Sequence, residues 1–228
     1  MLRAFFSAAC LTCVIFLYSL CRSVPAQDGG DEQAMRLPEP SLKGSKSIEE
    51  CLASRRSVRE YSDRALTIKE VSQLLWAAQG ITADWGGRTA PSAGALYPLK
   101  IYLVVGKVEG LETGVWVYEP KGHSISKVSS GDKREALMAS ALGQEPIGDA
   151  PLSIVIAAIP EITMAKYGAR SMRYIDNEVG CVCQNIYLQC ESLGLGTVAI
   201  GAFDDDSVAE IVGTQAEVRL IMPVGEPL

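Results

Sequence analysis

Histidine is nearly missing from this chain: its 228 residues hold a single one, His123. It falls in a predicted turn, so a serine triad, a cysteine–histidine pair and a histidine-rich metal site all lack their parts, and no metal ligands are assigned. No phosphate loop ending in Gly-Lys-Ser or Gly-Lys-Thr is present, and the glycines of "LGLGTVAIG" miss the GxGxxG spacing. A nucleoside triphosphate, or a pyridine nucleotide in a Rossmann crevice, is thereby disfavoured. Positive charge is in deficit as well: 21 Lys and Arg stand against 27 Asp and Glu, a net charge of −6, and such a surface repels nucleic acid and anionic lipid.

Only one stretch is strongly apolar and free of charge, residues 4–20 of "MLRAFFSAACLTCVIFLYSL". It is followed by "RSVPAQ", whose Val24 and Ala26 suit a small-residue cleavage rule, so residues 1–26 are read as an export signal and the protein as periplasmic or extracellular. An uncleaved membrane anchor over residues 4–20 is the alternative, since the run reaches the short limit for spanning a bilayer. Tyr18 and Leu20 are too bulky for lipoprotein processing at Cys21. Export would suit disulfides, yet beyond the signal only Cys51, Cys181, Cys183 and Cys190 remain. The last three share one predicted helix, where Cys181 and Cys183 point apart and Cys183 and Cys190 are about 10 Å apart along the axis, beyond a bridge. These thiols read as small buried hydrophobes.

What is present is the balance of a globular domain, 48% hydrophobic and 21% charged. Residues 27–45 lack periodicity and read as a flexible linker or arm, and order is expected from 46 to 228. Ser47 with Glu50 and Thr67 with Glu70 make two capping boxes, the first for a helix through about Ser54 and the second for one that Gly80 stops. After a loop from Thr82 to Pro98 come a strand at 100–105 and a hairpin pairing "VWVYEP" with "SISKV" across the turn at Lys121-Gly122-His123. A helix at 132–142, a strand at 152–159, a long helix from about Tyr174 to Leu193, a strand "GTVAI", a helix at 205–212 and a strand at 218–224 follow. Strands and helices mix without regular alternation, which favours a layered α+β domain over a doubly wound parallel sheet.

Two stretches carry chemistry. In "RRSVR", Arg55, Arg56 and Arg59 bracket Ser57, three guanidinium forks and a hydroxyl suited to an anion such as phosphate. Alone, paired arginines at a helix end could equally complement the helix dipole. In "TAPSAGALYPLK", the small residues Ser92, Ala93, Gly94 and Ala95 let backbone approach a flat ring, while Ser92 and main-chain amides can bond its polar edge. By itself this could be an ordinary glycine-bearing loop.

Together, "RRSVREYS", "RTAPSAGALYPLKIYLVV", "KYGARSMRYIDNEVGCVCQNIYLQCESLGLGTVAIGAFDDDSV" and the ending "IMPVGEP" resemble the FMN-dependent nitroreductase superfamily, in its SagB/ThcOx-type dehydrogenase branch, over about residues 46–225. The resemblance implies a three-layer α+β fold, a mixed and largely antiparallel sheet flanked by helices, and a homodimer with FMN in the subunit interface. It places the FMN phosphate and ribityl on Arg55, Arg56, Ser57 and Arg59, and the isoalloxazine along Pro91, Ser92, Ala93 and Gly94. Residues Gly196 to Gly201 would return to the flavin, and Gln184 and Asn185 would be structural. In azole-forming members a Lys-Tyr pair removes a proton, and Lys166 and Tyr167 of "AKYGAR" stand at the matching position. Ordinary nitroreductases end in basic residues that help hold the phosphate, whereas this chain carries Glu226 there, leaving the phosphate to the N-terminal arginines or a partner chain. The implied function is an exported FMN-dependent oxidoreductase with two-electron chemistry at flavin N5, acting on a small molecule or peptide. A NAD(P)H-dependent nitro or quinone reductase and a non-catalytic flavin-binding protein are the alternatives.

Overall fold

The structure, a computed structural model, describes residues 34–228. The expected export signal at 1–26 and the first part of the expected arm lie outside the described residues. Within them, no helix is long and apolar enough to cross a membrane.

The fold is organised by a seven-stranded sheet built from β1 (Met35–Arg36), β3 (Leu99–Val105), β5 (Gly114–Glu119), β6 (Ser124–Ser130), β7 (Leu152–Ala158), β8 (Gly196–Thr197) and β9 (Glu217–Gly225). Its order is β1-β6-β5-β3-β7-β9-β8, with every neighbouring pair antiparallel. A separate pair, β2 (Leu66–Thr67) with β4 (Val108–Glu109), is parallel. The central strands are apolar on both faces because helices cover both. Along β7 all seven residues are buried, with Ile154 and Ile156 on one face and Val155 and Ala157 on the other. The first face meets α2 (Ile68–Gln79) and the long α6 (Ser171–Leu193). The second meets α3 (Arg134–Ser140), α4 (Glu145–Asp149) and α7 (Asp205–Val212). Three layers result, as expected.

Both capping boxes form, Ser47 opening α1 (Ile48–Ser54) and Thr67 opening α2. The hairpin of β5 and β6 turns at the predicted place, and His123, with φ 47°, does structural work there. Its Nδ1 meets the Tyr118 hydroxyl at 2.8 Å, and its Nε2 meets Ser72 Oγ at 2.7 Å and the Pro38 carbonyl at 3.1 Å. That carbonyl belongs to the stretch read as a flexible arm. From residue 34 the arm is instead part of the domain: Met35 pairs with Ile125, Leu37 is 3% exposed, and the Gln73 amide both donates to the Ser41 carbonyl and accepts from its N–H. No periodicity announced this, because two strand residues and one buried leucine are too few to make a period.

Two further elements depart from expectation. Pro160 starts a helix, α5 (Pro160–Tyr167), between the strand and the long helix, where no element was expected; proline at the first helical position has no N–H to leave unpaired. "GTVAI" keeps only Gly196–Thr197 as a strand, and beyond them Ile200 forms an isolated bridge to Ile221.

Candidate active site

The arginine segment is joined to one edge of the sheet by an isolated bridge. Arg55 ends α1, the chain extends, Ser57 bridges Thr197 in parallel, and the Val58 N–H donates to the Thr197 carbonyl at 2.9 Å. Gly196 permits this approach: a Cβ there would lie 2.6 Å from the Val58 Cβ. The segment is held from α6 as well, where the Tyr187 hydroxyl is 3.1 Å from Ser57 Oγ and accepts from the Ala199 N–H at 2.9 Å. Over the Tyr187 ring lies the Arg55 guanidinium, 5.1 Å from the centroid. Arg56 and Arg59 are exposed, and among the described residues none of the three arginines has a carboxylate partner. Three guanidinium groups and a serine hydroxyl on one extended segment, with no acid to neutralise them, fit an oxyanion. Glu226 is engaged elsewhere, accepting from Arg64 Nε at 3.0 Å and from the Ser62 hydroxyl at 2.7 Å.

At the other end of α6 lies the loop of Pro91 to Gly94. Gly94, Ala95 and Tyr97 all adopt left-handed conformations, with φ of 65°, 55° and 50°. Two of these are not glycine, each at a cost of about 1–2 kcal/mol, so the loop is over-determined by its surroundings. Lys166 and Tyr167, 72 and 73 positions further on, converge on it. A Cβ at Gly94 would stand 2.8 Å from Lys166 Nζ and 2.7 Å from the Tyr167 hydroxyl. Tyr167 is steadied edge-on by Tyr174, ring centroids 4.9 Å apart, and Lys166 Nζ lies 5.4 Å from the Tyr167 ring centre. The pair closes α5 rather than lying in a loop, which gives both side chains a rigid base.

Between the two ends, Gly180 and Cys183 of α6 and Ala199 and Gly201 of the segment after β8 line, together with Asp176, Phe203 and Arg219, a groove of about 440 Å³ between α6 and β9. Burial pushes the Cys183 thiol up to about 11, with the nearby Arg55 opposing, so it stays a thiol and acts as a small hydrophobe. From Glu178 to Tyr187 the helix spans about 14 Å at 1.5 Å per residue, room for an extended ligand with its anion at one end. A larger cavity of about 840 Å³ lies elsewhere, between residues 38–48, α2 and α6, and none of the expected site residues lines it.

The structure thus brings Arg55, Ser57, Gly196 and the segment leading to Gly201 together, and separately Gly94, Lys166 and Tyr167. Gly196 acts through packing, as nothing but hydrogen fits beside Val58, while a Cβ added at Gly201 would meet nothing within 4 Å among the described residues. Asn185 is structural, donating to the Ala77 carbonyl at 3.0 Å, and Gln184 is exposed. Sequence reasoning missed Tyr187 and a buried polar chain of Gln79, Arg88 and Glu178. Glu178 could have been found: it interrupts the apolar stripe of Ile175, Val179 and Val182 on α6, the place where a carboxylate needs a reason.

Residues 52–226 match the family described as the nitroreductase family. A protein of Methanocaldococcus jannaschii that carries a nitroreductase name is 44% identical over 87% of this chain and 99% of its own length. The crystal structure of a protein from Ralstonia eutropha, also under a nitroreductase name, superposes with a TM-score of 0.75 at 29% identity, covering 88% of this chain and 92% of the other. The microcin B17-processing protein McbC of Escherichia coli is 28% identical over 70% of this chain, which spans 60% of that protein.

Proposed function

The chain belongs to the nitroreductase family, and from that premise we propose that it is an FMN-dependent oxidoreductase of the SagB/ThcOx type, working as an exported homodimer. Arg55, Arg56, Ser57 and Arg59 hold the phosphate, the loop of Pro91, Ser92, Ala93 and Gly94 faces the isoalloxazine, and the segment from Gly196 to Gly201 lines the way between. FMN bound there supplies two-electron exchange with a substrate. The exposed Ile48 and Leu52 on α1, beside the arginine segment, are candidates for cover by a second subunit.

The observation that carries the branch assignment is the convergence of Lys166 Nζ and the Tyr167 hydroxyl on Gly94. A substrate oxidised by two electrons at carbon also sheds a proton, and these are the two groups at the ring-facing loop able to receive it. Lys166 takes the proton at Nζ. Tyr167 holds the substrate's polar atom and passes the proton on through its hydroxyl. The likeness to McbC, by name a microcin B17-processing protein, supports a peptide-borne substrate.

Lys166→Ala and Tyr167→Phe test this. Both variants are expected to keep the wild-type flavin spectrum, yet to lose about 10²- to 10⁴-fold in anaerobic flavin reduction by a substrate that must shed a proton. Reduction by NAD(P)H needs no such base and should change little. Wild-type rates with every donor would remove the pair from the mechanism and leave the plain nitro or quinone reductase, the reading that the name of the 44%-identical relative favours.

A further inference from the structure

Tyr187 is buried on α6, and three separate stretches of chain meet at its side chain. Its hydroxyl is 3.1 Å from Ser57 Oγ on the arginine segment and accepts from the Ala199 N–H, on the segment after β8, at 2.9 Å. Its ring carries the Arg55 guanidinium, 5.1 Å from the centroid. Neither neighbouring segment is free to slide past it. The Val58 N–H donates to the Thr197 carbonyl at 2.9 Å, and Thr197 Oγ1 donates to the Pro223 carbonyl of β9 at 2.8 Å. The helix that bears the phenol runs for 23 residues, so the hydroxyl stands on a rigid base.

Counting hydrogens decides what Ser57 can offer. A backbone N–H only donates, so Ala199 occupies a lone pair of the Tyr187 oxygen. The phenol then has one hydrogen to place, and Ser57 Oγ is the one other partner its hydroxyl meets among the described residues. Were Ser57 the donor, the hydrogen of a buried phenol would be left without an acceptor, although a phenol is the stronger donor of the two. The bond therefore runs from Tyr187 to Ser57. Ser57 Oγ has no other hydrogen-bond partner among the described residues, and the residue is exposed, so its own hydrogen is left for a ligand. We propose that Tyr187 is a positioning residue that fixes the hydrogen-bond polarity of Ser57, so that Ser57 donates to an oxyanion and the arginine segment selects a phosphorylated ligand over its phosphate-free counterpart.

The three dipoles point one way. The Ala199 N–H donates to Tyr187, Tyr187 donates to Ser57, and Ser57 donates outward, so each bond polarises the next and the chain ends where negative charge is favoured. The arginines ask for the same charge at the same end, since none of Arg55, Arg56 and Arg59 has a carboxylate partner among the described residues. A guanidinium group attracts any anion nearby, whereas a hydroxyl whose hydrogen has one direction open to it also fixes where the oxygen sits.

This inference rests on the FMN reading, and one experiment separates the two. Apo-protein is titrated with FMN and with riboflavin, which lacks the phosphate, for wild type, Tyr187→Phe, Ser57→Ala and the double variant. Tyr187→Phe keeps the ring beneath Arg55 and removes only the hydroxyl. Ser57→Ala changes an exposed side chain, so it reads the site even if the buried substitution impairs folding. Ser57→Ala should weaken FMN binding by about tenfold, the worth of one charge-assisted bond. Tyr187→Phe should weaken it by about three- to tenfold, because Ser57 can then turn its hydrogen away, and should add less than about twofold once Ser57 is alanine. Riboflavin should bind all four proteins alike. A loss at Tyr187 that persists in full without Ser57, or that strikes riboflavin as hard as FMN, would mean that the tyrosine only packs α6 against the two segments. Equal FMN affinity in wild type and both single variants would mean that Ser57 is no donor to the phosphate; each of these results overturns the proposal while leaving the cofactor in place. Failure of the wild type to bind FMN would overturn the cofactor reading and this inference with it.

Discussion

Gly196→Ala is the perturbation for which the structure gives the clearest magnitude. The new methyl would lie 2.6 Å from the Val58 Cβ and 2.7 Å from both of its γ-carbons, closer than carbon atoms tolerate, and a β-branched valine has no free end to swing away. Overpacking of this kind costs about 1–3 kcal/mol. If the arginine segment backs off to relieve it, the bond from the Val58 N–H to the Thr197 carbonyl lengthens, at about 1 kcal/mol more. In a domain of this size each kcal/mol lowers Tm by about 2–4 °C. The same displacement carries Arg55, Ser57 and Arg59 away from the anion, so FMN affinity should fall by about tenfold for each 1.4 kcal/mol lost. Gly201→Ala is the control: no atom lies within 4 Å of its added methyl, so stability should hold, and any loss of FMN affinity there would report direct contact with the ligand. Thermal unfolding and FMN titration of apo-protein read both quantities. Wild-type Tm and affinity in Gly196→Ala would refute the account of how the arginines are placed.

Three further outcomes are expected. Arg56→Ala should weaken FMN binding by about ten- to a hundredfold, the worth of one charge-assisted bond of about 1.5–3 kcal/mol, and unchanged affinity in single substitutions at Arg55, Arg56 and Arg59 alike would remove the phosphate site. Burial holds the His123 imidazole below its usual range, with the bond to the Pro38 carbonyl opposing, so the unfolded chain binds the proton more readily; the stability this neutral histidine supports is fully present above about pH 6.5 and is lost as pH falls toward the folded value, and Tm of His123→Gln should fall less than wild type between pH 7 and 5, identical profiles refuting it. Sequencing the N-terminus of the protein from its native host should find Gln27 first; an intact Met1 in a soluble cytoplasmic fraction would exclude export, and an intact Met1 in the membrane would favour the anchor.

What could be read directly from the residues was short in range. Ser47 with Glu50 and Thr67 with Glu70 signal their helix starts because a capping box closes within four residues, and the turn ahead of Ser124 is legible because Gly122 and His123 there leave the ordinary backbone region. The arginines and the loop at Ser92 could be named, since their chemistry is carried by residue type and near neighbours. Where these groups meet was decided only by the tertiary structure. Ser57 reaches Thr197 because β8 lies at the sheet edge beyond β9, an order that no local propensity encodes. Lys166 and Tyr167 reach Gly94 because β3 and β7 are neighbours running antiparallel, which sets the loop before one beside the helix after the other. Glu178 acquires its character from burial beside Gln79, which pushes its carboxyl up, and a carboxyl's proton affinity depends on what surrounds it in space, not on what precedes it in the chain.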